Sequence, residues 1–415
     1  MMIVAERTFL LVLMVVASGA RTDADRAEGT FDTDGATRRF AELSARLEEH
    51  GLPQMVGVAR WNDMVADARP EIIRCRDHAC FAEAVNRLFK TTTISHFHYY
   101  TDEEWGYWHL RSAFGVGDGD REVEHIGVFP ERIEGRWFVR GVFESSPASK
   151  VDLRVGDELV EVNGEPFHSI RSFRGLAGTE ARVTIARRPG ARSTLTIPVV
   201  KQSLHQVVQR AMRDSVRVIE HGSRRFAYLH AWTLLGDGGE YEALGKLQDE
   251  VDGLLLDFRD GFGGSPFNAR SFLLGRKKGE INPWVDDVPH WTRPVVILIA
   301  DGARSAKEMV VYDVKKAGRA PLVGTPTPGD VTNVGAIRMV GADALVMLPG
   351  RKFALEDKPV YPDYLVPRDI RYAAGEDPQL DFAKELLDEK AGTGTRPPDA
   401  EASEKPAPPR VDAER

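Results

Sequence analysis

A serine between a buried strand and a helix is the first residue whose position suggests chemistry. Residues 295–300 form a continuous apolar run, and residues 301–308 read Asp-Gly-Ala-Arg-Ser-Ala-Lys-Glu. The pattern predicts a strand followed by a helix that starts at Ala306, with Ser305 at the helix N-terminus. Free N–H groups and the positive end of the helix dipole favour an oxyanion there, so Ser305 could attack while the N–H of Ala306 donates. The alternative is that Ser305 only caps the helix.

A glycine-rich turn follows another apolar strand, which covers residues 253–258. The turn reads Asp-Phe-Arg-Asp-Gly-Phe-Gly-Gly over residues 257–264. Glycines after a buried strand let the backbone approach a ligand and present N–H groups to it. The alternative is a plain tight turn between a strand and a helix.

Strands and helices alternate around these two segments, over residues 203–388. The pattern predicts strands at 226–229, 253–258 and 295–300 and helices at 239–251 and 306–317. Continuous apolar strands are expected where both faces of a sheet are covered. We therefore predict an α/β fold class with a layered core in this region.

Two further regions precede this core. Residues 119–202 contain short β-type runs separated by Gly and Pro, which predicts a small β-rich module. Residues 38–118 show apolar residues at three- and four-residue steps, which predicts an N-terminal helical region with a loop or short strand at 91–100.

The two ends of the chain have the composition of segments outside the fold. An apolar run at 9–17, followed by small residues, predicts a signal peptide over residues 1–20 and therefore export to the periplasm or the extracellular space. An uncleaved anchor is the alternative, and it would be the one membrane contact. We predict a mobile leader at 21–37 and a disordered tail at 389–415.

Charge and cysteine content exclude several classes of function. The 415 residues carry 55 Lys and Arg against 63 Asp and Glu, a net charge of −8, which argues against nucleic-acid partners. With only two cysteines no zinc-ligand pattern appears, and we predict no metal or cofactor. In an oxidising compartment Cys75 and Cys80 are disulfide candidates, with two buried thiols as the alternative.

Four motifs follow one another along residues 90–370. They are Ser-Ser-Pro-Ala with Val-Gly-Asp-Glu-Leu (145–159), the glycine-rich turn (257–264), the serine segment with Gly-Arg-Ala and Val-Gly-Thr (301–325), and Glu-Asp-Lys-Pro-Val-Tyr-Pro-Asp (356–363). In this order they resemble the C-terminal-processing, or tail-specific, peptidases and their tricorn-protease relatives. The resemblance implies a crotonase-like ββα peptidase core with an inserted β-rich PDZ-like domain.

The chain departs from the tail-specific branch of that family at one position. That branch pairs its serine with a lysine in a Gly-Lys-Gly run, and the corresponding stretch here is Pro-Gly-Asp-Val at 328–331. Asp330 stands in the place of the lysine. It is either a group that tunes the site or a surface turn residue. Lys307 does not replace the family lysine, because residues two apart at a helix start point to different sides.

The tricorn branch implies a different set of catalytic residues. Ser95 and His96 resemble its Ser-His pair, and Glu356 resembles its late glutamate. His96 would then be the base for Ser305, and Ser95 or Glu356 would orient the site. The N–H groups of Gly263 and Ala306 would form the oxyanion hole. His96 could instead be structural, and His98 is the alternative base.

The PDZ-like module implies a preference among polypeptides. Residues Ile126, Gly127 and Val128 are candidates for the loop that holds the terminal carboxylate of an added peptide strand. A structural lid is the alternative role. The sequence thus predicts a serine endopeptidase that recognises exposed C-termini of exported polypeptides. The rivals are a degenerate peptidase that acts as a peptide-binding scaffold and an esterase.

Overall fold

The computed structural model describes residues 31–276, 288–329, 332–352 and 359–392, except the side chains of 351 and 352. The helices are α1 (Thr33–Glu49), α2 (Leu52–Val56), α3 (Val58–Ile72), α4 (His78–Thr91), α5 (Trp105–Phe114), α6 (Leu204–Asp214), α7 (Gly239–Leu247), α8 (Phe267–Leu274), α9 (Ala306–Lys316) and α10 (Pro378–Gly392). The strands are β1 (His98–Thr101), β2 (Glu122–His125), β3 (Val128–Ile133), β4 (Arg136–Val142), β5 (Glu158–Val162), β6 (Glu165–Pro166), β7 (Glu180–Arg188), β8 (Ala191–Pro198), β9 (Val200–Ser203), β10 (Arg217–His221), β11 (Arg224–His230), β12 (Gly253–Asp257), β13 (Val295–Ile299), β14 (Leu322–Gly324), β15 (Thr332–Val340), β16 (Ala344–Lys352) and β17 (Tyr364–Leu365). The described residues form two compact units, 31–120 with 332–352 and 121–329 with 359–392 but without 277–287.

The first unit packs α1 to α5 with an antiparallel sheet of three strands in the order β1-β16-β15. The hairpin β15–β16 comes from residues 332–352, which the sequence pattern assigned to the peptidase core. Strand β16 pairs with both β15 and β1, and the pairing with β1 is a long-range contact that local periodicity does not encode. The predicted leader is also shorter than expected, since Asp32 caps a helix that begins at Thr33.

The predicted cysteine pair lies between two helices of this unit. Cys75 and Cys80 are joined in a disulfide, with their Cα atoms 5.5 Å apart. Cys80 lies in the first turn of α4, where its N–H donates to the capping carboxylate of Asp77 at 2.8 Å. The bond therefore connects the residues after α3 to the capped start of α4.

The second unit contains the β-rich module (residues 121–203) and a layered α/β core. In the module, the main strands follow the order β3-β4-β5-β7-β8, while β2 pairs with β9. In the core, six strands follow the order β10-β11-β12-β13-β14-β17. All neighbours from β11 to β17 are parallel, and only β10 is antiparallel. The predicted α/β class is confirmed.

The central strands β12 and β13 are buried at every residue, which explains their unbroken apolar sequences. Helix α10 covers one face of the sheet through Ala383, Leu386 and Leu387. This helix runs to Gly392, so the first residues of the predicted tail are helical. Because parallel strands end at one edge, the turns after β12 and β13 lie side by side there.

Candidate active site

Ser305 lies between β13 and α9 in a strained backbone conformation. Its φ is 57° and its ψ is −119°, values that a residue with a side chain rarely adopts. A residue that simply caps a helix has extended backbone angles instead. Strain of this kind costs about 1–3 kcal/mol and concentrates at functional sites, as in the sharp strand-to-helix turn that exposes a nucleophilic serine. The backbone of Ser305 therefore differs from that of an ordinary cap, while its side chain also takes part in a capping box with Glu308.

Glu308 holds the backbone of this turn in place. One carboxylate oxygen accepts a hydrogen bond from the N–H of Ser305 at 3.2 Å, and the other accepts from the N–H of Gly329 at 2.7 Å. The side chain is buried, with 1% of the residue exposed. Sequence reasoning missed Glu308, although Ser-x-x-Glu at 305–308 is the spacing of a capping box and could have indicated it.

Glu308→Gln should lower both stability and turnover. Glutamine fills the same space but offers one acceptor oxygen, so one of the two N–H groups would face an NH₂ group. An unsatisfied buried donor costs about 1–3 kcal/mol. Thermal unfolding and kcat should both show the loss, whereas the exposed Glu385→Gln should match wild type. Equal unfolding temperatures for the two variants would contradict the assigned role.

The glycine-rich turn after β12 lies against Ser305. A Cβ atom on Gly263 would be 3.0 Å from the Cβ and 3.5 Å from the Oγ of Ser305, so the two residues are neighbours. The carbonyl of Gly263 accepts from the N–H of Leu234 at 2.9 Å. Gly261 has φ +91°, and a Cβ there would lie 2.0 Å from the carbonyl oxygen of Trp232. Glycine is therefore required for this turn to approach both Ser305 and the segment after β11.

Gly263→Ala should slow turnover without unfolding the protein. The added methyl group meets Ser305 at 3.0 Å, closer than side-chain atoms normally pack, so the serine or the turn must shift. A misplacement of this kind can cost about 100-fold in rate. The steady-state rate of Gly263→Ala should fall by about 100-fold. The control is Gly392→Ala, whose new methyl group has no neighbour closer than 3.7 Å, and its rate should be unchanged. A wild-type rate for Gly263→Ala would contradict the proximity argument.

A buried ionic network anchors the start of the glycine-rich turn. The guanidinium of Arg259 binds both carboxylate oxygens of Asp257, at 2.9 and 2.6 Å, and both of Asp377, at 2.8 Å each. Burial raises the pKa of Asp257, but the charge of Arg259, the influence of His230 and the hydrogen bonds from Arg259 together outweigh it and hold the pKa well below its usual range. The carboxylate is therefore ionised at any working pH, and the turn begins from a fixed point.

Arg140, on strand β4 of the β-rich module, connects the two turns at this edge. It pairs with Asp260 in the glycine-rich turn and, at 2.6 Å, with Asp301 in the turn before Ser305. It also contacts Glu131 at 3.2 Å. A cavity of about 400 Å³ opens beside these groups, and Arg368 also lines it. No local sequence signal identifies Arg140, because its partners are distant along the chain.

Ser95 and His96 belong to the first unit. The Oγ of Ser95 lies 2.6 Å from the Oγ1 of Thr332 and accepts from the N–H of Thr332 at 3.1 Å. The Nδ1 of His96 is 3.5 Å from the same Oγ, and His96 has φ 56°. His98 lies on β1, where its Nε2 is 3.1 Å from the Oε2 of Glu104. The two histidines therefore differ in setting, one in a strained turn and one in a strand with a carboxylate partner.

The predicted carboxylate loop forms the turn between β2 and β3. Ile126 and Val128 are buried in the core of the β-rich module, and Gly127 has φ +89°. The carbonyl of Ile126 accepts from the N–H of Ala148 at 2.9 Å, and that of Gly127 accepts from the N–H of Phe143 at 3.0 Å. Peptide contacts at this turn would therefore come from its backbone.

Two predicted residues, Asp330 and Glu356, lie outside the described part of the chain. Within the described ranges, no cluster of three or more His, Cys, Asp or Glu side chains could hold a metal ion. In the same ranges, no helix has the length and apolar character needed to cross a bilayer.

Comparison with known families matches the part of the chain that contains Ser305 and the glycine-rich turn. Residues 225–363 match the model of peptidase family S41, so the chain contains a domain of this family. Among curated proteins, the carboxy-terminal processing protease CtpB of Bacillus subtilis (strain 168) is 24% identical over 242 residues, which cover 53% of this chain and 49% of CtpB. The tricorn protease of Thermoplasma acidophilum is 25% identical over 272 residues, which cover 60% of this chain and 25% of that protein.

A solved structure, that of the photosystem II D1 C-terminal processing protease, aligns with a TM-score of 0.43 and 17% identity over 76% of this chain and 88% of the other. The chain spans about half the length of the first curated relatives it matches, 49% and 47%.

Proposed function

We propose that this protein is a serine endopeptidase with Ser305 as its nucleophile. The observation that carries the proposal is the strained backbone of Ser305, at φ 57° and ψ −119°, beside Gly263 at the carboxyl edge of the parallel sheet. A serine that is held in this conformation by a buried glutamate has a fixed direction of attack. The family S41 match over residues 225–363 supports the same reaction class.

In the proposed reaction His96 accepts the proton of Ser305 as its Oγ attacks the carbonyl carbon of the scissile peptide bond. The N–H groups of Gly263 and Ala306 stabilise the resulting oxyanion. The protonated His96 then gives its proton to the leaving amine as the C–N bond breaks. Water then takes the place of the amine. His96 accepts a proton from the water as its oxygen attacks the acyl carbon, and returns a proton to the Oγ of Ser305 as the ester bond breaks. Ser95, which is hydrogen-bonded to Thr332, orients the imidazole. Glu356 helps to orient the active-site groups by hydrogen bonds.

The proposed substrates are exported polypeptides with exposed C-terminal residues. The β-rich module would act as a PDZ-like domain that pairs with an extended peptide and holds its terminal carboxylate at residues 126–128. Arg140 connects this module to both turns beside Ser305, so a peptide bound to the module could influence the position of these turns. The apolar run at 9–17 supports export.

Digestion of an unfolded protein tests the proposal. Purified protein should cleave casein into peptides, and a peptide with a free C-terminal carboxylate should inhibit this better than the same peptide with a C-terminal amide. Binding of peptides without any cleavage would favour a catalytically degenerate scaffold. Cleavage of small esters with no cleavage of casein would favour an esterase.

A further inference from the structure

Lys307 is a fully buried charged residue to which the proposed reaction gives no role. It is the second residue of α9, two positions after Ser305, and none of its surface is exposed. Lysine is almost never fully buried unless its amine is paired, because desolvation of the charge is costly. The partners of this amine therefore indicate what the residue does.

The amine of Lys307 contacts the glycine-rich turn beside the nucleophile. Its Nζ donates a hydrogen bond to the backbone carbonyl of Asp260. The same atom lies 5.8 Å from the centre of the Phe258 ring, within the range of a cation–π interaction. Both partners belong to the segment that leads to Gly263. Lys307 thus connects the helix that follows the nucleophile to the start of the oxyanion turn.

The far end of the turn is held by different groups. The N–H of Phe262 donates to the carbonyl of Trp232 at 2.7 Å, and the N–H of Ser265 donates to the carbonyl of Leu234 at 2.8 Å. These bonds fix the second half of the turn to the segment after β11. At Asp260 the side chain pairs with Arg140 and the carbonyl accepts from Lys307.

The electrostatic surroundings keep this donor in use across the neutral pH range. Burial lowers the pKa of Lys307 to about 7, while the carboxylates of Asp260 and Asp257 act in the opposite direction and Arg140 adds to the lowering. Both the ammonium and the neutral amine carry N–H donors, so the bond to the Asp260 carbonyl survives loss of the proton. Lys307 can therefore donate to the Asp260 carbonyl whether or not its amine is charged.

We propose that Lys307 is a positioning residue that fixes the turn at 260–264, and with it the N–H of Gly263, against Ser305. The inference rests on the proposed function, because it assigns this turn to the stabilisation of an oxyanion. A displacement of the donor by about 1 Å is enough to cost about 100-fold in rate. In the proposed function the terminal carboxylate of the substrate binds at residues 126–128, outside this turn.

The test compares Lys307→Met with Lys315→Met. Methionine is unbranched and fills a similar channel, but it cannot donate to the Asp260 carbonyl. Lys315 lies on the same helix and also donates to a backbone carbonyl, that of Tyr361, at 2.7 Å, but it is 40% exposed and outside the site. Casein-derived peptide turnover should be normalised to sites titrated with a fluorophosphonate, so that a smaller folded fraction does not count as slower chemistry.

The expected result is a fall in kcat of about 10- to 100-fold for Lys307→Met, with KM within about threefold and no change for Lys315→Met. A peptide aldehyde places an oxyanion in the hole when Ser305 adds to it, so its inhibition constant should rise by a similar factor. The corresponding peptide alcohol should bind both variants equally.

Several results would overturn the inference and leave the proposed function standing. A Lys307→Met enzyme with wild-type kcat and wild-type affinity for the aldehyde would overturn it. Equal rises in the inhibition constants of the aldehyde and the alcohol would also overturn it. Loss of the folded state in both Lys307→Met and Lys307→Gln would also contradict it, because the proposal places the effect in the turn and not in the core. An inactive wild-type protein would instead refute the proposed function.

Discussion

Replacing Ser305 by alanine should abolish peptide hydrolysis, with a fall in kcat on the order of 10⁶-fold. The hydroxyl is the group that forms the acyl bond in the proposed reaction, and neither His96 nor the N–H groups of the oxyanion hole can replace it. Alanine keeps the backbone bond from residue 305 to Glu308, and it loses only the capping bond that the Ser305 side chain accepts from the backbone of Glu308. The folded structure should therefore survive the change.

A neighbouring serine provides the matched control for this prediction. Ser265 is exposed and lies at the end of the glycine-rich turn, close in sequence to Gly263. Ser265→Ala should keep wild-type turnover of casein, measured as acid-soluble peptides over time. A Ser305→Ala protein that is as active as Ser265→Ala would remove Ser305 from the mechanism.

The second large effect is expected at His96. Removing the general base should lower kcat by about 10⁴-fold or more, because the hydroxyl would have to lose its proton to water. His98→Ala provides the internal comparison, since its imidazole is two residues away and contacts Glu104 at 3.1 Å. This variant should retain turnover close to wild type.

The same peptide assay measures both histidine variants, with circular dichroism to confirm that each is folded. Equal activity of His96→Ala and His98→Ala would eliminate the proposed base. Loss of activity in His98→Ala alone would move the assignment to His98, the alternative that the sequence left open.

The parts of the site that local sequence determines were predictable. Unbroken apolar runs identified β12 and β13, and the glycines after β12 indicated a turn that approaches a ligand closely. The proximity of Gly263 to Ser305 follows from the parallel order of these strands, because the turns after neighbouring strands share an edge. Periodicity and residue type thus predicted a serine and a glycine-rich turn at the ends of neighbouring strands, while the role of Ser305 as nucleophile follows from the family resemblance and stays a prediction.

The parts that depend on distant contacts were not predictable. The β15–β16 hairpin pairs with β1, although it follows the core strands in sequence. Arg140 reaches Asp260 across 120 residues, and no local pattern records such a pair. For Lys307 the sequence indicated only that it points away from Ser305. Its bond to the Asp260 carbonyl depends on how α9 packs against the turn after β12.

The most direct test of the central claim is to locate the residue that a fluorophosphonate modifies. Purified protein is treated with the reagent, digested and analysed by mass spectrometry. The account predicts one adduct, on Ser305 within residues 301–308, and none on the Ser305→Ala variant. Absence of an adduct on the folded wild-type protein, or an adduct that persists in Ser305→Ala, would contradict the assignment of Ser305 as an activated nucleophile.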